Sequence, residues 1–263
     1  MSNKYKLLLA YEGTAYAGWQ VQPDAVTIQE LIQKALKTIL RDDISVVAAG
    51  RTDAGVHAIG QVAHFQCEKT LDTFRFRHSL NGLLPGDIRI LAIEPAHPDF
   101  HARNSALGKV YHYNLHLNFA HDPFKRRTSF HLRDKLDLDL MAECAKYFVG
   151  THDFTSFANQ AYEGAASKDA VRTIKRIDLV PKELGLCLEF EGDGFLYKMV
   201  RNITGTILDV ASGKIALQKI PEIMAGKDRR QAGQAAPAHG LFLMRVDYPE
   251  DLIMTGNIAL PCS

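Results

Sequence analysis

The sequence predicts an α+β protein made of two successive βαββαβ halves. Three observations carry this. Apolar residues switch between period-2 and helical spacing along the chain. The order strand, helix, strand, strand, helix, strand reads twice. Turn residues, such as Pro85-Gly86 and the Pro-Lys-Glu-Leu-Gly run from Pro181, stand between the stretches. This order is the ferredoxin-like arrangement. Its two antiparallel sheets would flank a central cleft, a common place for a ligand.

The first half spans residues 1–104. Lys4 to Tyr11 reads as a buried strand. Thr27 and Glu30 have capping-box spacing. Ile28, Leu31, Ile32, Ala35, Leu36 and Ile39 then follow at helical spacing. Ile44 to Ala49 and Gln61 to Cys67 read as strands, Phe74 to Leu84 as a helix stopped by Pro85-Gly86, and Asp87 to Ile93 as the closing strand.

The second half, residues 105–263, repeats the order without residue-level similarity. Val110 to Leu117 alternates, with Tyr111, Tyr113, Leu115 and Leu117 on one face and His112, Asn114 and His116 on the other. A helix over Leu138 to Val149 ends at Gly150. Val171 to Val180 and Leu186 to Glu191 are strands. Leu196 to Ala211 is a helix with Met199, Val200, Ile203, Ile207 and Leu208 inward. A short helix covers Leu217 to Met224, and Leu241 to Tyr248 is the last strand.

Composition bounds the function. The chain has 263 residues, 46% of them apolar, and a formal net charge of +1, so a polyanion site would have to be a local patch. Cys67, Cys144, Cys187 and Cys262 form no CxxC pair, which fits a reducing cytoplasm and argues against a zinc site or a disulfide framework. The apolar run Leu7 to Ala10 is too short for a signal peptide, and no run approaches a membrane span. There is no GxxxxGK[ST] loop and so no sign of NTP use. His112 and His116 have no third ligand near in sequence and read as a solvated pair, so no metal is expected. The "EGDGF" run reads as a turn with Asp193 as a helix cap.

The run "GRTDAGVHA", Gly50 to Ala58, is the least ordinary stretch. It supports two readings. Asp-Ala-Gly is common turn chemistry, and Arg51 could simply pair with Asp53. Alternatively, an aspartate is a carboxylate at neutral pH and can attack a sugar carbon. A nearby guanidinium would keep it ionised or grip a phosphate. The glycines would let a large substrate approach. Tyr111 likewise could be core packing or a stacking platform. Lys125-Arg126-Arg127 and Lys227-Asp228-Arg229-Arg230 are either solvated runs or phosphate contacts.

Several blocks resemble the TruA family of tRNA pseudouridine synthases, in that family's order: "LLLAYEGTAYAGWQVQP", "GRTDAGVHA", "NGLLPGDI", "FHAR", "GKVYHYNL", "GFLYKMVRNITGTIL" and "APAHGLFL". The resemblance runs end to end. It implies a cofactor-free isomerase that converts uridine to pseudouridine in the anticodon stem-loop of tRNA, acting as a homodimer. It implies Asp53 as nucleophile and Arg51 as the residue that expels the target base and takes its place. Tyr111 would stack on the uracil, Arg201 would pair with the catalytic carboxylate, and Leu241 would wall the pocket. Gln160 to Lys168 looks variable and receives no role. Two other classes stay open on the residues alone. One is a non-catalytic RNA-binding module, although no RNP-type run is present. The other is a glycoside hydrolase, which would need a second carboxylate beside Asp53.

Overall fold

A computed structural model describes residues 2–159 and 169–252 of the chain. The Gln160 to Lys168 segment and Cys262 lie outside these residues. The fold is α+β with mostly antiparallel pairing, in two compact units. Among the described residues, the first comprises 2–107 and 242–252, the second 108–159 and 169–241. The final strand, read from sequence as the end of the second half, is thus grouped almost whole with the first unit.

In the first unit, β1 (Asn3–Tyr11) lies between β4 (Ile88–Pro95) and β3 (His57–Cys67), antiparallel to both. The other edge of β3 carries two partners in tandem. β2 (Val47–Ala48) pairs antiparallel near Ala63, and β10 (Leu241–Asp247) pairs parallel at His57 and Ala58. The expected strand over Ile44 to Ala49 shrinks to the two residues of β2, because only these reach ladder pairing. β3 starts four residues earlier than its apolar pattern suggested, because Tyr11 pairs with Ala58 at one edge and Phe242 with His57 at the other.

Helix α1 (Ile28–Leu40) buries Ile28, Ile32, Ala35 and Leu36, the stripe its spacing gives. Half of its expected capping box forms. The Glu30 carboxylate accepts from the Thr27 backbone and pairs with Lys34, which holds its pKa below the usual range. The buried Thr27 hydroxyl makes no cap bond. Helix α2 (Thr73–Leu83) is capped by Asp72, whose carboxylate accepts from the Arg75 amide at 3.1 Å. Leu7, Leu9, Ile32, Phe65, Leu80 and Ile88 fill the core between helices and sheet.

In the second unit the strand order is β5 (Gly108–His116), β9 (Gly185–Gly192), β8 (Val171–Lys182), β7 (Gly150–Asp153), every neighbour antiparallel. The short β6 (Phe130–His131) runs parallel to the end of β5. Strand β7 takes residues just beyond the C-terminal end of the expected helix. That helix, α3 (Leu138–Lys146), stops early, and Gly150 turns the chain at φ +112°. Helix α4 (Met199–Ala211) buries nearly its whole surface, Met199, Ile203 and Ile207 completely. It starts after Lys198 in the left-handed region, later than expected. Asp193 is therefore not its cap. The Asp193 carboxylate instead accepts from the Thr173 amide at 3.0 Å across the sheet. α5 (Ile220–Gly226) follows a 3-10 turn at Leu217–Lys219.

Candidate active site

The loop Gly50 to Ala58 connects β2 to β3 and rests on the chain that leaves β1. Five polar contacts fix it. The Trp19 amide donates to the Thr52 carbonyl at 3.0 Å and the Gly55 amide to the Tyr16 carbonyl at 3.4 Å. Gly13 donates its amide to His57 Nδ1 at 2.9 Å. The Tyr11 and Thr52 hydroxyls share a bond of 2.8 Å, and Gln61 Nε2 donates to the Gly50 carbonyl at 2.9 Å. Because Nδ1 of His57 accepts, its ring proton belongs on Nε2. Burial pushes the Tyr11 phenol up to about 12, so it stays a neutral hydroxyl.

Two glycines make this bed possible. Gly18 has φ +93°, and a Cβ there would lie 2.6 Å from the Thr52 carbonyl oxygen. At Gly13 a Cβ would lie 2.0 Å from the Val56 carbonyl oxygen. Within the loop, the Val56 amide donates to the Asp53 carbonyl at 3.1 Å, and Gly55 takes φ +77°. The backbone is thus an ordinary turn, and its surroundings hold it still. Asp53 is half-buried and Arg51 is exposed. His57 is buried and stacks on Phe242 with ring centroids 4.5 Å apart.

A second arginine flanks the loop. Arg103, in the "FHAR" block, feels the positive charge of Arg51. Desolvation first, and that charge second, hold its pKa below the usual arginine value. Its own loop is shaped by His101, whose Nδ1 accepts from the Arg103 and Asn104 amides, both at 3.2 Å. Beside it opens a cleft of about 300 Å³ lined by Trp19, Gln20, Val47, His101, Arg103 and Asn104. Underneath, His64 accepts from the Ala102 amide at 3.1 Å. Burial first, then the charges of His101 and Lys4, bring its pKa down to about 4. The first unit therefore presents a carboxylate, two guanidiniums and a polar cleft together. Such a set suits a polyanion with one reacting centre.

The second unit holds the other residues singled out by sequence. Tyr111, on β5, is buried and meets Phe195 edge-on at 5.2 Å. Arg201, in the first turn of α4, donates from Nε to the Ala236 carbonyl at 2.8 Å, while Ala236 donates its amide back to the Arg201 carbonyl at 2.9 Å. Its charge also reaches the buried Tyr113 phenol, which donates to the Pro237 carbonyl at 2.8 Å. Leu241 is buried and follows the 3-10 turn Ala238–Gly240. Gly240 is forced by close approach, since a Cβ there would sit 2.7 Å from the Tyr113 ring. Arg201, Tyr113, Pro237 and Leu241 thus belong to one corner. Arg51 and Asp53 belong to one loop.

The two basic runs differ. Lys227 pairs with Asp153 at 2.6 Å, Arg230 with Asp228 at 2.9 Å, and Arg229 donates to buried Asn202 at 2.8 Å. Lys227 and Arg229 are thus engaged by the unit's own structure, whereas Arg230, 90% exposed, pairs within the run itself. Lys125, Arg126 and Arg127 are exposed, and no ion pair engages them among the described residues. Phe119 and Phe124, 93% and 89% exposed, stand in the same loop. Sequence reasoning gave no role to His57, Gly13, Gly18 or Arg103, although each stands inside a block that it singled out.

A family model described as tRNA pseudouridine synthase matches residues 8–104 and 144–249. The chain is 56% identical over 248 residues to tRNA pseudouridine synthase A 1 of Protochlamydia amoebophila, covering 94% of this chain and 97% of that protein. It is 47% identical to tRNA pseudouridine synthase A of Chlamydia muridarum, covering 95% and 93%. It is 42% identical to the protein of that name in Acetivibrio thermocellus, covering 92% and 98%. The Asp53 loop with its bed lies inside the matched segments, as do Arg201, Pro237 and Leu241 of the other corner, and the aligned relatives span both units. On that combined ground, the chain belongs to the tRNA pseudouridine synthase family.

Proposed function

We propose that the protein isomerises uridine to pseudouridine in the anticodon stem-loop of tRNA. The observation that carries this is the rigidly bedded Asp53 loop, with Arg51 and Arg103 beside it, in a chain matching the family over most of its length. In the reaction the bond between N1 of uracil and C1′ of the ribose breaks and a bond from C5 to C1′ forms. C5 gives up its proton and N1 ends protonated. Asp53 acts as the nucleophile on the target nucleotide. The base must leave its stack to be reached, and Arg51 takes its place. Tyr111 stacks on the uracil, Arg201 pairs with the Asp53 carboxylate, and Leu241 walls the pocket.

We read both units as ferredoxin-like, with their sheets flanking a central cleft. The β4-β1-β3-β2 neighbour order of the first unit supports this, as does the β5-β9-β8 order of the second. The enzyme works as a cytoplasmic homodimer. Among the described residues, no helix is long and apolar enough to cross a membrane. The Lys125 to Arg127 run contacts tRNA phosphates, and Phe119 and Phe124 offer stacking faces beside those charges. The reaction is read as needing no nucleotide and no metal, since the bonds broken and formed all lie within the target nucleotide and the sequence has no GxxxxGK[ST] loop.

Substrate and product have equal mass, so the test is release of tritium from C5 of labelled uridine in tRNA. Release is expected without added nucleotide and in the presence of chelator. A hydrolase would instead liberate free uracil, and a mere binder would release nothing. Either result at stoichiometric enzyme overturns the proposal.

A further inference from the structure

On the β5 face opposite Tyr111, the sheet brings together a set of side chains that the reaction does not use. His112 of β5 stands directly across from Glu189 of β9, and Asn114 across from Cys187. The diagonal therefore closes a triangle of imidazole, thiol and carboxylate. One ligand-capable atom from each lies within 4.8 Å of the others. His112 Nε2 is 3.5 Å from Glu189 Oε1. Cys187 is fully buried at the floor, while His112 and Glu189 are 22% and 18% exposed at the rim. The site therefore has an apolar base and an opening to water.

We propose that His112, Cys187 and Glu189 form a binding site for a zinc-type divalent cation, with water as the fourth ligand. Nitrogen, sulfur and oxygen donors of these types are those zinc takes, in tetrahedral geometry. Bond lengths of about 2.0–2.3 Å put tetrahedral ligand atoms about 3.5 Å apart. The observed triangle needs only a modest contraction by side-chain rotation. On binding, the Cys187 thiol releases its proton to solvent, so that thiolate and carboxylate together balance the metal's charge. The other Glu189 oxygen stays with Arg176 at 3.4 Å. Arg176 is itself satisfied by Asp178 and Glu191 and need not move. Lys182 also places positive charge near His112 and Cys187, which opposes the cation. The missing ligands of the His112 strand face are thus supplied by the neighbouring strand, more than seventy residues away in sequence.

The test is titration of the full-length protein with cobalt(II), followed by equilibrium dialysis against zinc. Wild type should show a thiolate-to-cobalt charge-transfer band with tetrahedral d–d bands, and should retain one zinc per chain. Cys187→Ser should lose the charge-transfer band, and His112→Ala should lose most of the zinc. Cys144→Ser should keep both signals. Zinc should raise the melting temperature of wild type but not that of His112→Ala, a comparison that holds even if Cys187→Ser folds poorly. Chelation should leave tritium release unchanged, because Tyr111 lies on the other face. Absence of the band in wild type overturns the proposal. So does retention of zinc in His112→Ala, which would place the metal elsewhere, for example at the His116, His121 and His131 rings.

Discussion

Asp53 has a fixed backbone on both sides. Thr52 is held by Trp19 and Tyr11, and Val56 bonds back to the Asp53 carbonyl. Replacing its carboxylate by an amide should therefore change chemistry and little else. Asp53→Asn is expected to lower turnover by about four orders of magnitude or more. tRNA affinity should survive, because phosphate contacts dominate it. Tritium release and a binding curve on the same preparation check both halves. Arg201→Met removes the cation proposed to face Asp53. A loss of about 10²–10³ in kcat is expected, the scale of one preorganised electrostatic contact. Because Arg201 also holds the Ala236 carbonyl, Arg201→Lys serves as the control. Recovery of melting temperature without recovery of kcat would assign the loss to chemistry. The loop that carries Asp53 stands out in sequence, since a charged pair between glycines in a short loop is visible without coordinates. The supports of the loop do not. His57 and Gly18 look like ordinary loop residues until the register of β1 against β3 puts residues 13–19 beneath the loop.

At the scale of elements, the loop carrying Lys125, Arg126 and Arg127 has exposed charge and exposed aromatic rings, whereas Lys227 and Arg229 are tied up internally. Changing the first three residues to glutamate should weaken tRNA binding and reduce the slope of log K against log salt by about 2–3. The same change at Lys227 and Arg229 should chiefly cost stability. An unchanged salt slope for the first variant would remove that loop from the interface. Sequence alone could not rank these runs, because Asp153 and Asn202 are far from Lys227 and Arg229 along the chain. β3 makes a different prediction. His64 resists protonation until about pH 4 when folded, against 6.5 for the free side chain. Below 6.5 the unfolded chain takes up a proton that the folded one refuses. Stability is therefore complete above that pH and declines as pH falls toward 4. At about 1.4 kcal/mol per pH unit the decline is on the order of 3 kcal/mol. His64→Asn keeps an acceptor for the Ala102 amide and should flatten this limb in denaturant titrations at pH 7 and pH 4.5. An identical limb in the variant would assign the decline to other groups.

Across the whole molecule, what the sequence carried was the order of elements, and what it lacked was partnership. Every strand named from alternation exists, although the one expected over Ile44 to Ala49 survives only as Val47–Ala48. The last strand was legible as a strand but not as a parallel partner of His57 and Ala58, because nothing local records a pairing across almost two hundred residues. Helix α4 was legible from its apolar stripe. Its almost complete burial was not, since Asn202, Thr204 and Thr206 look like surface residues until Phe157 and the helix's own carbonyls take up their polar atoms. The proposed homodimer belongs to this scale. Sedimentation should give twice the chain mass at micromolar concentration, and a single-chain mass throughout would remove that part of the proposal.

The bed beneath the Asp53 loop bears on how the protein can be recombined with its relatives. The nine residues of the loop and the span from Tyr11 to Trp19 form one interlocking part, although about thirty residues separate them. A chimaera that imports the loop alone would have to match a host whose glycines stand at the same two points of approach. One that moves both segments together carries its own footing. Breeding variants by crossover should therefore yield active progeny mainly when the breakpoint falls outside residues 11–58.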